Sequence, residues 1–185
     1  MKTILGLVLG GLMAVAGAAF ASAPAGASGC EASVGAVWTP VAGQRPFRVE
    51  AVSHGPSCDK AIVVLTLRGP DGKPLWVDAR VGQFVMLFAG VNNTKAMKSA
   101  LGDWIRQGPQ LKNAANLPSW PPGAERPASG EFPFLPDEAV DRDFYESARR
   151  AKLPLFCYVQ GMESMACVVL KDGGVLKLGV QLFPG

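Results

Sequence analysis

The chain has 185 residues, of which 18 are Lys or Arg, 15 are Asp or Glu and one is His, for a formal net charge of +3. This length is enough for one domain with a hydrophobic core and too short for two domains of ordinary size. Because the basic residues are few and interleaved with acidic ones, the sequence excludes a protein that binds nucleic acid through a basic surface.

The N-terminus has the organisation of an export signal. Lys2 precedes an apolar run over residues 4–20, and the Ala19-Phe20-Ala21 motif is typical of signal-peptide cleavage. The run is short for a membrane span of about 20 residues, and no basic cluster follows it. We therefore predict a signal peptide over residues 1–21 and a single periplasmic or secreted domain over residues 22–185, with no stable membrane span after signal removal.

The four cysteines predict two disulfides, because an even number of cysteines in an exported chain is typical of a disulfide framework. A structural zinc site would need C-x-x-C or Cys/His pairs at ligand spacing, and the sequence has neither, so we predict no metal and no other cofactor. Lipidation of Cys30 is an alternative to its bridge, since the small residues before it resemble a bacterial lipobox, although the aliphatic residue that leads that motif is missing.

The first part of the chain reads as short strands separated by turn residues. Predicted strands cover residues 33–38, 47–53, 61–68, 75–81 and 84–89. The Asp71-Gly72 dipeptide favours a two-residue type I′ hairpin turn. That turn would place Leu67 opposite Trp76 and Leu65 opposite Asp78, and the second, awkward pair indicates a bulge or a slipped register.

The middle of the chain changes from strand to helix periodicity. Apolar residues recur at helical spacing behind Asn93 and Thr94, which are possible N-caps, and Gly108-Pro109 ends the run. The apolar set is Met97, Ala100, Leu101, Trp104 and Ile105. The spacing predicts an amphipathic helix.

A long irregular segment over residues 109–136 is rich in proline and carries Trp120, Phe132 and Phe134. Loops of this length inside a domain are usually either packed across the core or functional. We therefore consider two interpretations: a strap that buries its aromatic side chains, and a loop that presents these three residues to a ligand or partner.

A second helix is predicted over residues 137–152. Acidic residues occupy its first half and basic residues close it, as the helix dipole favours. The face predicted to pack consists of Val140, Phe144, Ala148 and Ala151.

The C-terminal region predicts a three-stranded antiparallel meander. A hairpin centred on Met162 places Cys157 directly opposite Cys167, at a separation that suits a disulfide, which leaves Cys30 to pair with Cys58. A second tight turn at Asp172-Gly173 would place Cys167 opposite Leu178 and Met165 opposite Val180. Together these elements predict a disulfide-stabilised α+β fold, with an antiparallel N-terminal sheet and two helices separated by the Pro-rich segment.

Catalytic signals are weak. His54, the only histidine, lies in a polar turn, and the chain has no G-x-S-x-G elbow or phosphate-binding loop. Three carboxylates, Asp78, Glu131 and Asp143, are far enough apart in sequence to converge, as any chain with this many acids allows.

We therefore predict a non-enzymatic exported binding module that recognises a protein or an envelope component. The alternative is a small cell-envelope hydrolase that uses His54 or a carboxylate pair.

Overall fold

A computed structural model describes residues 29–107, 112–128 and 130–183 of the chain. Within these ranges the chain forms two four-stranded antiparallel sheets, two α-helices and two disulfides, which confirms the predicted α+β class. The predicted signal peptide and the predicted helix stop at Gly108-Pro109 lie outside the described residues.

The first sheet has the order β1-β2-β3-β4. Its strands are β1 (Ala32–Trp38), β2 (Phe47–His54), β3 (Ile62–Arg68) and β4 (Pro74–Val81), which confirms the first four predicted strands. Buried residues alternate with more exposed ones along β2 and β3, so one face of the sheet is buried.

The fifth predicted strand, over residues 84–89, is wrong. The segment forms two short 3-10 turns, Gly82–Phe84 and Met86–Phe88. Val85 and Phe88 are the buried residues, and their spacing of three matches the 3-10 repeat rather than the alternation of a strand.

The turn between β3 and β4 has three residues rather than the two predicted. The N–H of Gly69 donates to the carbonyl oxygen of Lys73, the N–H of Gly72 donates to that of Gly69, and Gly72 has a φ of +82°. This is a type I turn followed by a left-handed glycine, which introduces a bulge between Leu67 and Arg68. The bulge restores the predicted register beyond the turn.

Asp78 lies opposite Leu65, as predicted, and points toward the interior. Its carboxylate accepts hydrogen bonds from the Tyr158 hydroxyl at 2.9 Å and from Arg80 Nε at 3.0 Å. Tyr158 in turn accepts a hydrogen bond from Trp76 Nε1 at 2.8 Å. The inward carboxylate is therefore satisfied by Arg80 on its own strand and by Tyr158 from the second sheet, and the register does not slip.

Helix α1 (Thr94–Gln107) begins at the predicted cap, because Asn93 Oδ1 accepts a hydrogen bond from the Ala96 N–H at 2.9 Å. The helix packs against β1 and β2 on the buried side of the first sheet. Met97, Leu101 and Trp104 are fully buried there.

The second sheet has the order β5-β8-β7-β6, where the strands are β5 (Phe134–Pro136), β6 (Leu155–Val159), β7 (Ser164–Lys171) and β8 (Gly174–Leu182). The predicted meander is therefore present, and β5 from the Pro-rich segment extends it by one strand. Cys157 lies opposite Cys167 and is bonded to it, while Cys30 is bonded to Cys58, so both predicted pairings are confirmed. Because Cys30 is bridged, its sulfur is not free for lipidation.

The predicted pairing between β7 and β8 also placed Val169 opposite Leu176, which is confirmed, but it is wrong from Cys167 to the far end of the two strands. Cys167 lies opposite Gly179 instead of Leu178, and Met165 lies opposite Gln181 instead of Val180. A bulge at Leu178 shifts the register by one residue, and Gly179 then faces β5.

Helix α2 (Arg142–Arg150) begins five residues later than predicted. Asp141 caps it by accepting a hydrogen bond from the Phe144 N–H at 2.7 Å. Tyr145 and Ala148 are its buried residues, whereas Ala151, which was predicted to pack, is exposed at the C-terminal cap.

The second sheet is the middle layer of the molecule. One of its faces, with Phe156 and Tyr158, packs against the first sheet and α1, and the other, with Leu155 and the Cys157–Cys167 bridge, packs against α2. In the part of the chain that the structure describes, neither helix is long and apolar enough to cross a bilayer.

Candidate functional site

Strand β1 forms one edge of the first sheet, because within the described residues it pairs with β2 alone. The N–H of Cys30 donates to the carbonyl oxygen of Gly55, in the same register as the rest of the β1–β2 pair. Since successive residues of a strand direct their backbone groups to opposite sides, Ser33, Gly35 and Val37 direct theirs away from β2. These three residues leave three N–H and three C=O groups facing outward.

The edge of β1 carries no protecting residue. The strand sequence Ala-Ser-Val-Gly-Ala-Val-Trp has no charge and no proline, and Val37 is 67% exposed. The opposite edge of the sheet, β4, contains Pro74, Asp78 and Arg80. Charged residues and proline are the usual means by which edge strands avoid pairing with another chain. Of the two edges, β1 is therefore the one open to pairing.

A groove runs along this edge between β1 and α1. It consists of two adjoining cavities of about 470 and 490 Å³, and Lys98 of α1 lines both. The first cavity is lined by Glu31, which precedes β1, and by the first two residues of the strand. The second cavity is lined by residues 34–36 of β1. We call this feature the β1–α1 groove.

Basic side chains dominate the α1 wall of the β1–α1 groove. Lys95, Lys98 and Arg106 line it and are exposed. Arg106 contacts Asp103, which is the only acidic residue of α1. The groove therefore presents a positive wall beside an uncharged strand edge.

His54 lies at one end of the same groove. Its Nδ1 contacts the carboxylate of Glu31, and Ser33 and Thr94 line the same cavity. The Thr94 hydroxyl lies 3.5 Å from the carbonyl oxygen of Gly29, and among the described side chains only Glu31 is hydrogen-bonded to the His54 ring. Glu31 therefore fixes the orientation of the imidazole. Among the described residues, no hydroxyl group is hydrogen-bonded to the imidazole, so the ring has no nucleophile to activate there.

The His54–Glu31 pair is also open to water, with side-chain exposures of 65% and 61%. Catalytic electrostatics act most strongly in sites that exclude water. The carboxylates considered for hydrolysis lie on separate elements, Asp78 on β4, Glu131 in the loop before β5 and Asp143 on α2. Across the described ranges, no group of three or more His, Cys, Asp or Glu side chains could hold a metal ion.

The three aromatic residues of the Pro-rich segment have different environments. Phe134 is 1% exposed in β5, Trp120 is half-buried against Tyr145, and Phe132 is 45% exposed. The backbone around Trp120 is bonded to α2 by Tyr145, Glu146, Arg142 and Arg149. Phe134 therefore offers no surface to a partner, and a binding role for Trp120 and Phe132 stays a prediction.

The β1–α1 groove was not predicted from the sequence. The sequence predicted an uncharged strand over residues 33–38, but its position at an edge depends on which strands pair. No protein-family model matches the chain, and neither a curated protein nor a solved structure matches it significantly.

Proposed function

We propose that this protein is a non-enzymatic, exported binding module that recognises a partner protein by adding an extended segment of that partner to β1. The observation that carries the proposal is the open edge of β1 beside a groove. Strand addition supplies affinity through main-chain hydrogen bonds, and specificity comes from the side chains that line the flanking groove.

The arrangement of the edge supports this use. An uncharged seven-residue edge strand promotes uncontrolled pairing, so proteins normally protect it with charge, proline or a covering element. Here α1 lies beside the edge and leaves the outward groups of Ser33, Gly35 and Val37 without a strand partner among the described residues. An added strand would satisfy those groups and bury Val37.

Export is the second part of the proposal. The two disulfides support it, because disulfides persist in oxidising compartments such as the periplasm and the extracellular space. The N-terminal sequence motif supports it independently.

The test uses a random dodecapeptide library displayed on phage and the mature protein with its disulfides intact. Gly35→Pro removes an outward N–H, which an edge strand tolerates, and Gly35→Ala is the matched control. A Cβ at Gly35 would have only Val49 O near it, at 3.8 Å, so the alanine fits. We expect selected peptides to bind Gly35→Ala like the wild type and Gly35→Pro about tenfold more weakly or worse, as lost main-chain hydrogen bonds require.

Ser33→Pro with Ser33→Ala is a second pair on the same edge, and it decides the test if Gly35→Pro does not fold. Failure to enrich any peptide, or peptides that bind all four variants equally, would refute strand addition at β1.

Sedimentation of the wild type measures whether the protein is a monomer or a dimer. A dimer that both proline variants dissociate would show that a second copy of the chain, and not a partner peptide, occupies the edge.

A further inference from the structure

We infer that the segment added to β1 is acidic, with two carboxylates that flank an apolar side chain in the pattern acid-x-apolar-x-acid on the face toward α1. The inference rests on the proposed function and specifies the chemistry of its partner. It follows from the charge of the β1–α1 groove and from the spacing of three positions on α1.

The charges that face the groove are mostly positive. Lys95 and Lys98 form no ion pair with any described residue. Glu31, the acidic residue at the end of the groove, already contacts His54. Acidic side chains on an added strand would complement this wall, whereas basic side chains would be repelled by it.

Gly102 forms a depression in the middle of the α1 wall. A Cβ at this position would lie 3.0 Å from Arg106 Nη1, so the Arg106 side chain extends over the glycine. Val34, Ala36 and Ile105 line the same cavity and provide apolar surface around it. We expect a medium-sized apolar side chain to occupy this place once Arg106 turns from Asp103 toward a carboxylate of the added strand.

The spacing of the basic residues matches that of a strand. Lys98 and Arg106 each lie four residues from Gly102, which is about 6 Å along a helix axis. Side chains on one face of a strand are two residues apart, which is about 6.8 Å. An added strand that runs along the α1 axis, with one residue seated at Gly102, would therefore place its same-face neighbours beside Lys98 and Arg106.

Three labelled peptides test this pattern by fluorescence anisotropy. The first is fluorescein-Ser-Thr-Glu-Thr-Leu-Thr-Glu-Thr-Ser, the second replaces both Glu by Gln, and the third replaces both by Lys. We expect the Glu peptide to bind most tightly and the Lys peptide at least about tenfold more weakly. The preference should shrink as the salt concentration rises, because these charges are exposed.

Charge-reversed proteins locate the effect. Lys98→Glu and Arg106→Glu should each weaken the Glu peptide by about fivefold and strengthen the Lys peptide. Lys73→Glu is the matched control, because it makes the same charge change in the β3–β4 turn and should leave all three affinities unchanged.

The outcomes separate this inference from the proposed function. If all three peptides bind equally and Gly35→Pro abolishes their binding, strand addition stands and the acidic pattern is wrong. If the Glu peptide binds Gly35→Pro as well as the wild type, it binds by charge alone and both proposals fail for this peptide class. If the Glu peptide does not bind while library peptides do, the acidic pattern is again refuted.

Discussion

Trp120 shows how one side chain of the Pro-rich segment is fixed in place. Its backbone N–H donates to Glu146 Oε1 at 2.6 Å, and its backbone carbonyl oxygen accepts a hydrogen bond from Arg142 Nε at 2.9 Å. In the side chain, the indole Nε1 donates to the Ala124 carbonyl oxygen at 2.8 Å. The indole also meets the Tyr145 ring edge to face. These contacts favour the strap interpretation at this residue.

We predict that Trp120→Ala lowers the free energy of unfolding by about 3 kcal/mol, the low end for truncation of a buried Trp, because the indole is only half-buried. Urea denaturation followed by circular dichroism measures the loss. Phe132→Ala is the control and should change stability by less than Trp120→Ala does, since the Phe132 side chain is 45% exposed. A Trp120→Ala variant as stable as the wild type would contradict the strap and favour a partner-binding role.

At the scale of elements, the position of β5 depends on Gly179 of β8. A Cβ at Gly179 would lie 2.3 Å from the Leu135 carbonyl oxygen and 2.6 Å from the Phe134 ring. The bulge at Leu178 places this glycine beneath β5, so strand β5 can approach β8 closely only because the position has no side chain.

Gly179→Ala should therefore lower the free energy of unfolding by about 1–3 kcal/mol, the range for overpacked interiors, and should loosen β5 first. Hydrogen exchange of the Leu182 N–H, which donates to Pro133 O, reports on this region. Gly35→Ala is the matched control in a strand with room for the methyl group. Equal stabilities of the two variants would show that the close approach of β5 to β8 does not depend on the missing side chain at Gly179.

At the scale of the whole molecule, two tyrosines report on the two cores. Tyr158 lies in the core between the sheets, and Tyr145 lies in the core beneath α2. Burial raises the pKa of each hydroxyl well above its ordinary value, and the nearby Asp78 carboxylate adds to the effect at Tyr158. Because the raised pKa belongs to the folded state, its stabilising contribution is complete below pH about 10 and is lost as the pH rises above that value.

We predict that both tyrosines ionise in a single step that coincides with unfolding, at a pH above about 10, because the two cores share the second sheet. The ultraviolet absorbance of tyrosinate, recorded with tryptophan fluorescence during a pH titration, measures this. Tyr145→Phe should halve the absorbance change and keep one step. Two separate steps in the wild type would indicate that the cores unfold independently and would contradict the predicted single domain.

Local sequence signals were sufficient where the chain determines its structure over short distances. The cap at Asn93, the tight turn at Asp172-Gly173 and the pairing of Cys157 with Cys167 all depend on neighbours within a turn or a hairpin. Short segments bounded by turn residues likewise predicted β1 to β4, and the succession of strands and helices predicted the class of the fold. These features required only backbone preferences and the burial of apolar faces.

Tertiary structure decided the features that depend on distant partners. The bulge at Leu178 and the three-residue strand β5 exist because Phe134 packs on Gly179, and the inward Asp78 is tolerated because Tyr158 reaches it from the other sheet. The β1–α1 groove also belongs to this class, since the sequence of β1 does not show whether a strand lies beside it. Strand order and packing of α1 bring together residues more than 50 positions apart, and no local preference encodes that separation.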